Sequence, residues 1–274
     1  MTEDRNEPHL LEEVRGDILL LTLNRPQARN AISPQMACRL SDAYARYAED
    51  DRLRVLVVTG AGTKAFCSGG DLALTMPLLT GARQPEDDWD LRVLDEPAGR
   101  DRSTLRHTAI DKPIVAAING ACVAGGMETM LATDIRIASE TARFGLPEAM
   151  RGLIPFAGSL ARLPRQIPHA VAMEMLLTGD LIDAERALSI GLVNRVVPQA
   201  EVLARALCVA ETIAENGPLA IRQIKRTARL ATGVPLEQGF ALEDEAKRVV
   251  MASEDAREGP RAFMEKRPAR FTGR

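Results

Sequence analysis

Two glutamates and two glycine-rich turns are the residues of this chain whose types and spacing could act together in a reaction. Glu128 follows the pair Gly125-Gly126, and Glu148 stands twenty positions later, after Leu146-Pro147. An upstream turn contains Ser68-Gly69-Gly70. The backbone N–H groups of two glycine turns can stabilise one developing negative charge, while two carboxyl groups transfer protons around it. The set therefore predicts general acid–base chemistry on an activated carbonyl compound.

Both glutamates also have a structural interpretation, which the sequence leaves open. Glu128 falls in the apolar stretch 114–132, where a buried carboxylate without partners would be costly, so it could instead lie on the solvated face of a helix. Glu148 could complement the dipole of a helix that begins near Pro147.

Three other patterns are weaker candidates for a site. Residues 59–65 nearly match a dinucleotide-binding fingerprint, but the turn at Ser68 interrupts the helix that would have to follow, and the acidic residue about twenty positions on, Glu86, falls in a segment without strand character. Cys67 has no histidine placed to activate it and is interpreted as a small buried thiol. Metal-ligand spacing is lacking among the histidines His9, His107 and His169. We therefore expect no metal and no redox cofactor.

Composition and charge argue against several classes of protein. The chain has 274 residues, 46% of them hydrophobic, and a formal net charge of −3 with Lys and Arg spread along it, which argues against a nucleic-acid-binding surface. A basic run at 222–229 could still bind an anionic ligand. The four cysteines are far apart, which is typical of reduced thiols. Residues 1–8 are unlike a leader and no apolar run could span a bilayer, so a cytoplasmic protein without a membrane partner is expected.

The elements that must position these residues change in character along the chain. Short apolar runs predict strands that alternate with helices, at 18–23, 55–59, 114–119 and 135–138. One helix opens at Ser33-Pro34. Further along, four helices follow one another, at 200–215, 219–231, 236–251 and 253–266. We therefore predict an α/β core over residues 1–199 and a helical region over residues 200–274. Residues 72–107, which include Trp89, show little periodicity and predict a long irregular loop.

Taken as ordered segments, these residues resemble the crotonase superfamily, and most closely its enoyl-CoA hydratases. The segments that carry the resemblance are Asn24-Arg-Pro26, Phe66-Cys-Ser-Gly-Gly-Asp71, Gly125-Gly-Met-Glu128, Phe144-Gly-Leu-Pro-Glu148 and Ala262-Phe-Met-Glu-Lys266. They extend over nearly the whole chain, and the likeness is weakest in residues 72–107. The resemblance implies a spiral of ββα units followed by an all-helical C-terminal trimerisation region, and hence a homotrimer or homohexamer.

The resemblance also implies a role for each candidate residue in a reaction of an acyl-CoA thioester. Gly70 and Gly125 match the two residues whose N–H groups form the oxyanion hole for the thioester oxygen. The loop along which coenzyme A lies is matched by Ser68, Gly70, Asp71, Leu72 and Ala73. Glu128 would deprotonate the water that attacks Cβ, and Glu148 would supply the proton to Cα.

Other reactions of the superfamily stay open. Δ3,Δ2-enoyl-CoA isomerases use one glutamate, at the position of Glu148, and dehydratases of the carnitinyl-CoA type and acyl-CoA hydrolases share the scaffold. RNA-binding relatives would require a basic stripe, which this chain lacks. The chain departs from the family where residues 157–162 replace a Gly-Gly-Thr-Gln-Arg-like run, and at Pro168, where glycine is commoner. These departures predict an unusual acyl substrate.

Overall fold

The computed structural model describes residues 7–274, so the prediction for the N-terminal segment concerns mainly residues 1–6, which lie outside the described residues. Within residues 7–274 the strands are, in chain order, β1 (Leu10–Arg15), β2 (Ile18–Leu23), β3 (Val55–Gly60), β4 (Ala65–Cys67), β5 (Ile114–Ile118), β6 (Ala121–Val123), β7 (Ile135–Ser139), β8 (Arg143–Gly145), β9 (Ile182–Asp183) and β10 (Arg195–Val197). The α-helices are α1 (Pro34–Glu49), α2 (Thr75–Leu79), α3 (Asp88–Asp95), α4 (Pro97–Ser103), α5 (Gly125–Met130), α6 (Ser159–Gln166), α7 (His169–Thr178), α8 (Ala184–Ser189), α9 (Val202–Ala214), α10 (Pro218–Ala231), α11 (Leu236–Met251) and α12 (Asp255–Met264).

The strands form two sheets to which the chain contributes in alternation. The larger sheet has the order β1-β2-β3-β5-β7-β10, and the smaller has the order β4-β6-β8-β9. Each of the pairs β3–β4, β5–β6 and β7–β8 therefore gives its first strand to the larger sheet and its second to the smaller, and a helical segment follows each pair. Three such ββα units in succession wind the chain as a spiral, which confirms the predicted α/β fold class.

The central parallel strands of the larger sheet are buried on both faces, as expected for strands with nearly continuous apolar sequences. All residues of β3 and β5 are buried. On one face, Leu19 and Leu21 of β2 belong to the main core together with the apolar side of α1. On the other face, Ile18 and Leu20 pack against α9. The first helix after residue 200 thus covers the larger sheet.

The predicted start of α1 is confirmed. The Oγ of Ser33 accepts a hydrogen bond of 3.1 Å from the N–H of Met36, and Pro34 occupies the first helical position. The residues that α1 buries include Met36, Leu40, Tyr44 and Tyr47, at the predicted helical spacing.

Residues 72–107 are largely helical, so the prediction of an irregular loop was wrong. They contain α2, α3 and α4, which have 5, 8 and 7 residues. α3 is capped by Asp87, whose side chain accepts a hydrogen bond from the N–H of Asp90. Trp89 packs against the main core, and the guanidinium of Arg39 lies 5.4 Å from the centre of its ring system. Helices this short provide too few apolar positions for a recognisable period.

The last three helices leave many large apolar side chains exposed. Within these helices, all of which the structure describes, α10 buries no residue, α11 buries only Gly239, and α12 buries Asp255 and Ala262. Their exposed large apolar side chains include Ile224, Leu236, Phe240, Met251, Phe263 and Met264. The helical C-terminal region is therefore present, and most of its apolar surface is not covered by the chain itself.

The basic run at 222–229 on α10 is largely engaged in ion pairs. Three of its side chains reach carboxylates of the core, in the pairs Arg222–Asp51 at 2.7 Å, Lys225–Asp134 at 2.7 Å and Arg229–Asp111 at 2.9 Å. These pairs attach α10 to the core, so they do not leave an open cationic patch for an anionic ligand. None of the helices in residues 7–274 is both long and apolar enough to cross a membrane.

Candidate active site

The candidate residues lie just beyond the carboxyl ends of three neighbouring parallel strands. In the smaller sheet, β4 pairs with β6 and β6 pairs with β8. The carboxyl ends of parallel strands meet at one edge of a sheet. Gly70 follows β4, Gly125 follows β6 and Glu148 follows β8, each within three residues of the strand end. Because the spiral aligns these ends, residues that are far apart in sequence share one edge.

The two glycine turns contact each other. Gly69 has a φ of +95°, which favours glycine, and a Cβ at this position would lie only 2.6 Å from the Cβ of Ala124. A Cβ on Gly125 would lie 3.4 Å from the backbone nitrogen of Gly70. Ala124 itself has a φ of +49°, a strained value for alanine that the surrounding contacts must maintain. The nitrogens of Gly70 and Gly125 are therefore held close together.

Both of these N–H groups are available to a ligand. Gly125 is the first residue of α5, so its N–H has no acceptor within the helix. Within residues 7–274, neither the N–H of Gly70 nor that of Gly125 donates a hydrogen bond to a protein acceptor. Two neighbouring free donors of this kind can stabilise an oxyanion.

Glu128 is buried, so its interpretation as a residue on a solvated helix face was wrong. It lies on α5 and is only 3% exposed. Its Oε1 accepts hydrogen bonds from the N–H of Ala157 at 2.7 Å, the N–H of Ser159 at 3.2 Å and the hydroxyl of Ser159 at 2.8 Å. Burial raises the pKa of the Glu128 carboxyl, while these donors and the positive charge of Arg162 oppose that rise.

Glu148 has contrasting surroundings. It directly precedes the short 3-10 helix Ala149–Arg151, in agreement with a helix start near Pro147. Within residues 7–274, its Oε2 is buried without any hydrogen-bond partner. Burial, reinforced by the negative charge of Glu128, raises the pKa of the Glu148 carboxyl to about 7. The two carboxyls thus interact electrostatically, and a substantial fraction of Glu148 is protonated near neutral pH.

The loop that the resemblance assigns to coenzyme A is fixed from inside by Asp71. Its carboxylate forms a buried ion pair of 2.7 Å with Arg25 and accepts hydrogen bonds from the N–H groups of Ala73 and Leu74. Leu72 and Ala73 are exposed on the outer side of this loop. The side chain of Asp71 therefore positions the loop from inside, and Leu72 and Ala73 form part of its exposed surface.

The interpretation of Cys67 as a buried thiol is confirmed. Cys67 is 1% exposed, and burial raises its pKa to about 12, so it is a thiol rather than a thiolate at neutral pH. Its sulfur accepts a hydrogen bond from the N–H of Gly69. Within residues 7–274, no three His, Cys, Asp or Glu side chains group as metal ligands.

Several residues of this region were missed by reasoning from the sequence. Ser159 contacts Glu128 through both its N–H and its hydroxyl, although the sequence marked its segment only as a departure from the family pattern. Met76 lies beside the turn at Gly70, with its sulfur 3.9 Å from where a Cβ of Gly70 would be. Phe156 and Leu160, on either side of the Ala157–Ser159 donors, are half exposed. A serine within a mainly apolar segment was the one signal for Ser159.

Comparison with known proteins gives consistent matches along the whole chain. Residues 13–274 match the family model described as enoyl-CoA hydratase/isomerase. The chain is 39% identical over 267 residues to enoyl-CoA hydratase EchA19 of Mycobacterium tuberculosis, covering 97% of each protein. It is 37% identical over 264 residues to carnitinyl-CoA dehydratase of Proteus mirabilis, covering 95% of this chain and 97% of that one. The crystal structure of enoyl-CoA hydratase EchA1 from Mycobacterium marinum superposes with a TM-score of 0.86 at 38% identity, covering 98% of this chain and 100% of that one.

Proposed function

The chain belongs to the enoyl-CoA hydratase/isomerase family, within the crotonase superfamily, and we propose that it adds water across the α,β double bond of an enoyl-CoA thioester. The observation that carries this proposal is the contrast between the two carboxyls. Oε1 of Glu128 has three hydrogen-bond donors, whereas Oε2 of Glu148 has none among the described residues and its carboxyl has a pKa raised to about 7. Such a pair is suited to provide one base and one acid at the same pH.

In the proposed mechanism, the thioester oxygen lies against the N–H groups of Gly70 and Gly125. Ionised Glu128 accepts a proton from water, and the water oxygen forms a bond to Cβ. The electron pair of the double bond moves to form an enolate, whose negative oxygen the two N–H groups stabilise. Protonated Glu148 then donates its proton to Cα, which gives the 3-hydroxyacyl thioester. Proton exchange with solvent restores Glu128 to the carboxylate and Glu148 to the acid.

Dehydration of a hydroxyacyl-CoA is the second candidate, because one of the relatives is named carnitinyl-CoA dehydratase. The same residues would act in the reverse order. A Δ3,Δ2-enoyl-CoA isomerase would require Glu148 but would leave the three hydrogen bonds to Glu128 without a catalytic purpose.

The proposed hydration is tested with a panel of enoyl-CoA thioesters of different acyl groups. Loss of the conjugated-enoyl absorbance with formation of 3-hydroxyacyl-CoA supports it, whereas release of free coenzyme A favours a hydrolase.

We expect the reaction to require no metal and no redox cofactor beyond the acyl-CoA substrate. Dialysis against a chelator should leave the rate unchanged, because the proposed acid, base and oxyanion donors all belong to the chain. The measurement is the hydration rate before and after dialysis, with buffer-dialysed enzyme as the control. A rate that falls on chelation and returns with a divalent ion would contradict this expectation.

We also expect the chain to assemble with copies of itself, as a homotrimer or homohexamer, through α10, α11 and α12. These helices expose Phe240, Phe263 and Met264 among other large apolar side chains, and covering such a surface removes it from water. A chain that ends at Gly217 keeps α9 on the larger sheet and should be monomeric or insoluble, and inactive. Light scattering of both chains tests this. A stable, active monomer of the full chain would contradict it.

We propose that the segment 72–107 sets acyl preference through Met76 rather than Trp89. Met76 lies beside Gly70, whereas Trp89 packs on the core and on Arg39. Met76→Ala should change the ratio of kcat/KM between short and long enoyl-CoA substrates by about 10–200-fold, which corresponds to about 1–3 kcal/mol, because contact is lost with only part of the series. Trp89→Ala should lower Tm and affect all substrates alike. If instead Trp89→Ala changes this ratio and Met76→Ala affects all substrates alike, acyl recognition lies at α3.

A further inference from the structure

The carboxylate of Glu128 accepts hydrogen bonds through one oxygen only, and the side chain that donates to this oxygen is that of Ser159. Among the described residues, the three donors that reach the carboxylate all bind Oε1, and two of the three belong to Ser159. Ser159 is fully buried, and its hydroxyl lies 2.8 Å from Oε1, within the usual range of an O–H···O hydrogen bond. The hydroxyl falls in the segment where the sequence departs from the family pattern.

The backbone around Ser159 is shaped to present these donors. Gly158 has a φ of +115°, a region that favours glycine, and this turn allows the N–H groups on both of its sides, those of Ala157 and Ser159, to reach the same oxygen. Ser159 is also the first residue of α6, so its N–H has no acceptor within that helix. The carboxylate of Glu128 therefore accepts a hydrogen bond from an otherwise unpaired N–H at the start of α6. In turn, α6 fixes the position of the carboxylate.

We propose that Ser159 is a positioning residue of the active site, whose hydroxyl fixes Oε1 of Glu128 and leaves Oε2 as the oxygen that takes the proton from water. This inference rests on the proposed role of Glu128 as the general base. A base must be ionised when substrate binds, and a hydrogen bond to the charged form favours that form. Ser159 therefore orients Glu128 and also lowers the pH at which it becomes protonated.

The other groups around Glu128 cannot replace this contribution. Glu148 provides no stabilising charge, because it is neutral when protonated and would repel the charge of Glu128 when ionised. Arg162 of α6 contributes a favourable positive charge, but it donates its hydrogen bonds to the carbonyl oxygens of Leu105 and Ala157. The strands packed against α5 carry Cys67 and Cys122, and burial raises the pKa of both thiols, so they stay neutral. The hydroxyl of Ser159 is thus the one side-chain donor to this carboxylate in residues 7–274.

The test is the pH profile of kcat/KM for Ser159→Ala and Ser159→Gly, measured with one enoyl-CoA substrate. Both variants keep the two N–H donors and lose the hydroxyl. The acidic limb, which reports protonation of the base, should move up by about one pH unit, the shift expected for loss of one hydrogen bond to a charged group. Activity should therefore fall about tenfold on the acidic limb and recover as pH rises.

Two further variants separate this role from a structural one. Ser159→Thr retains a hydroxyl and should keep the wild-type acidic limb. Thr59→Val removes another buried hydroxyl, one that donates to the carbonyl oxygen of Ala117 in the larger sheet, and should not move the limb. An unmoved limb in both Ser159→Ala and Ser159→Gly, or an equal loss at every pH, overturns the inference. If Glu128→Gln retains hydration, the proposed function itself fails; if it loses hydration while the limb stays in place, only the role of Ser159 fails.

Discussion

Replacing Glu128 or Glu148 with glutamine should lower kcat for hydration by roughly 10²-fold or more, the scale of a general acid or base contribution. An amide at position 128 cannot accept the proton of water, although it can keep a hydrogen bond to Ser159. An amide at position 148 cannot deliver a proton to Cα. The measurement is the rate of loss of conjugated-enoyl absorbance. Glu140→Gln, which changes an exposed glutamate at the end of β7, serves as the matched control and should retain full activity.

Glu128→Gln and Glu148→Gln should differ in the pH dependence of their hydration rate and in whether they retain double-bond migration. Since Glu148 acts as the acid, wild-type activity should fall as pH rises through about 7, where its carboxyl loses the proton, and Glu148→Gln should lack this limb. Near-normal hydration by Glu128→Gln would contradict a mechanism with two glutamates. Double-bond migration that persists in Glu128→Gln would favour the isomerase.

Gly69→Ala should lower kcat/KM by about 10²–10³-fold, the loss associated with removal of one oxyanion donor. A Cβ at this position would lie 2.6 Å from the Cβ of Ala124 and 3.0 Å from the nitrogen of Gly125, so the two turns must move apart. The φ of +95° adds strain for any residue other than glycine. Because the N–H groups of Gly70 and Gly125 flank this contact, their spacing changes with it. Steady-state kinetics with one enoyl-CoA substrate measures the loss.

Gly191→Ala is the matched control for this prediction. Gly191 has a φ of +75° with no atom within 4 Å of where its Cβ would be, so alanine there meets backbone strain without a clash. Both variants should lose some thermal stability, and only Gly69→Ala should lose activity at a temperature where both are folded. Equal kinetic losses in the two variants would mean that strain alone, and not the contact between the turns, governs the rate.

The sequence predicted the parts of the fold that depend on neighbours along the chain. The strand at β2 and the helix at α11 have the predicted bounds, and the cap of α1 by Ser33 follows from a serine before a proline. The turn signal Asn216-Gly217-Pro218 lies between the predicted helices 200–215 and 219–231, and α9 and α10 are separated there. In each case a local pattern of apolar spacing or turn residues carries the information.

The strands of the smaller sheet could not be predicted from local patterns in the sequence. β4, β6 and β8 have three residues each, too few to show a period, and they are defined by pairing with one another. Residues 72–107 were wrongly predicted for a related reason, because the helices there are short and α3 depends on its cap at Asp87 and on packing of Trp89.

The candidate site was predictable in its residue types and not in its contacts. Glycine turns and glutamates in an apolar setting suggested the chemistry, and the family resemblance assigned their roles. The hydrogen bonds from Ala157 and Ser159 to Glu128 join residues about 30 positions apart, and the contact between Gly69 and Ala124 joins two separate turns. Only the spiral arrangement of the strands brings these residues together.

The central claim, that two carboxyls add water to an enoyl-CoA, is tested most directly by isotope labelling. The enzyme is incubated with a 2-enoyl-CoA in water enriched in oxygen-18, and separately in deuterium oxide, and the product is analysed by mass spectrometry. We predict one oxygen-18 atom at C3 and one deuterium at C2 of a 3-hydroxyacyl-CoA, and formation of these labelled products roughly 10²-fold or more slowly by Glu128→Gln and Glu148→Gln. A product that has shifted its double bond without incorporating oxygen-18, or free coenzyme A, would contradict the account.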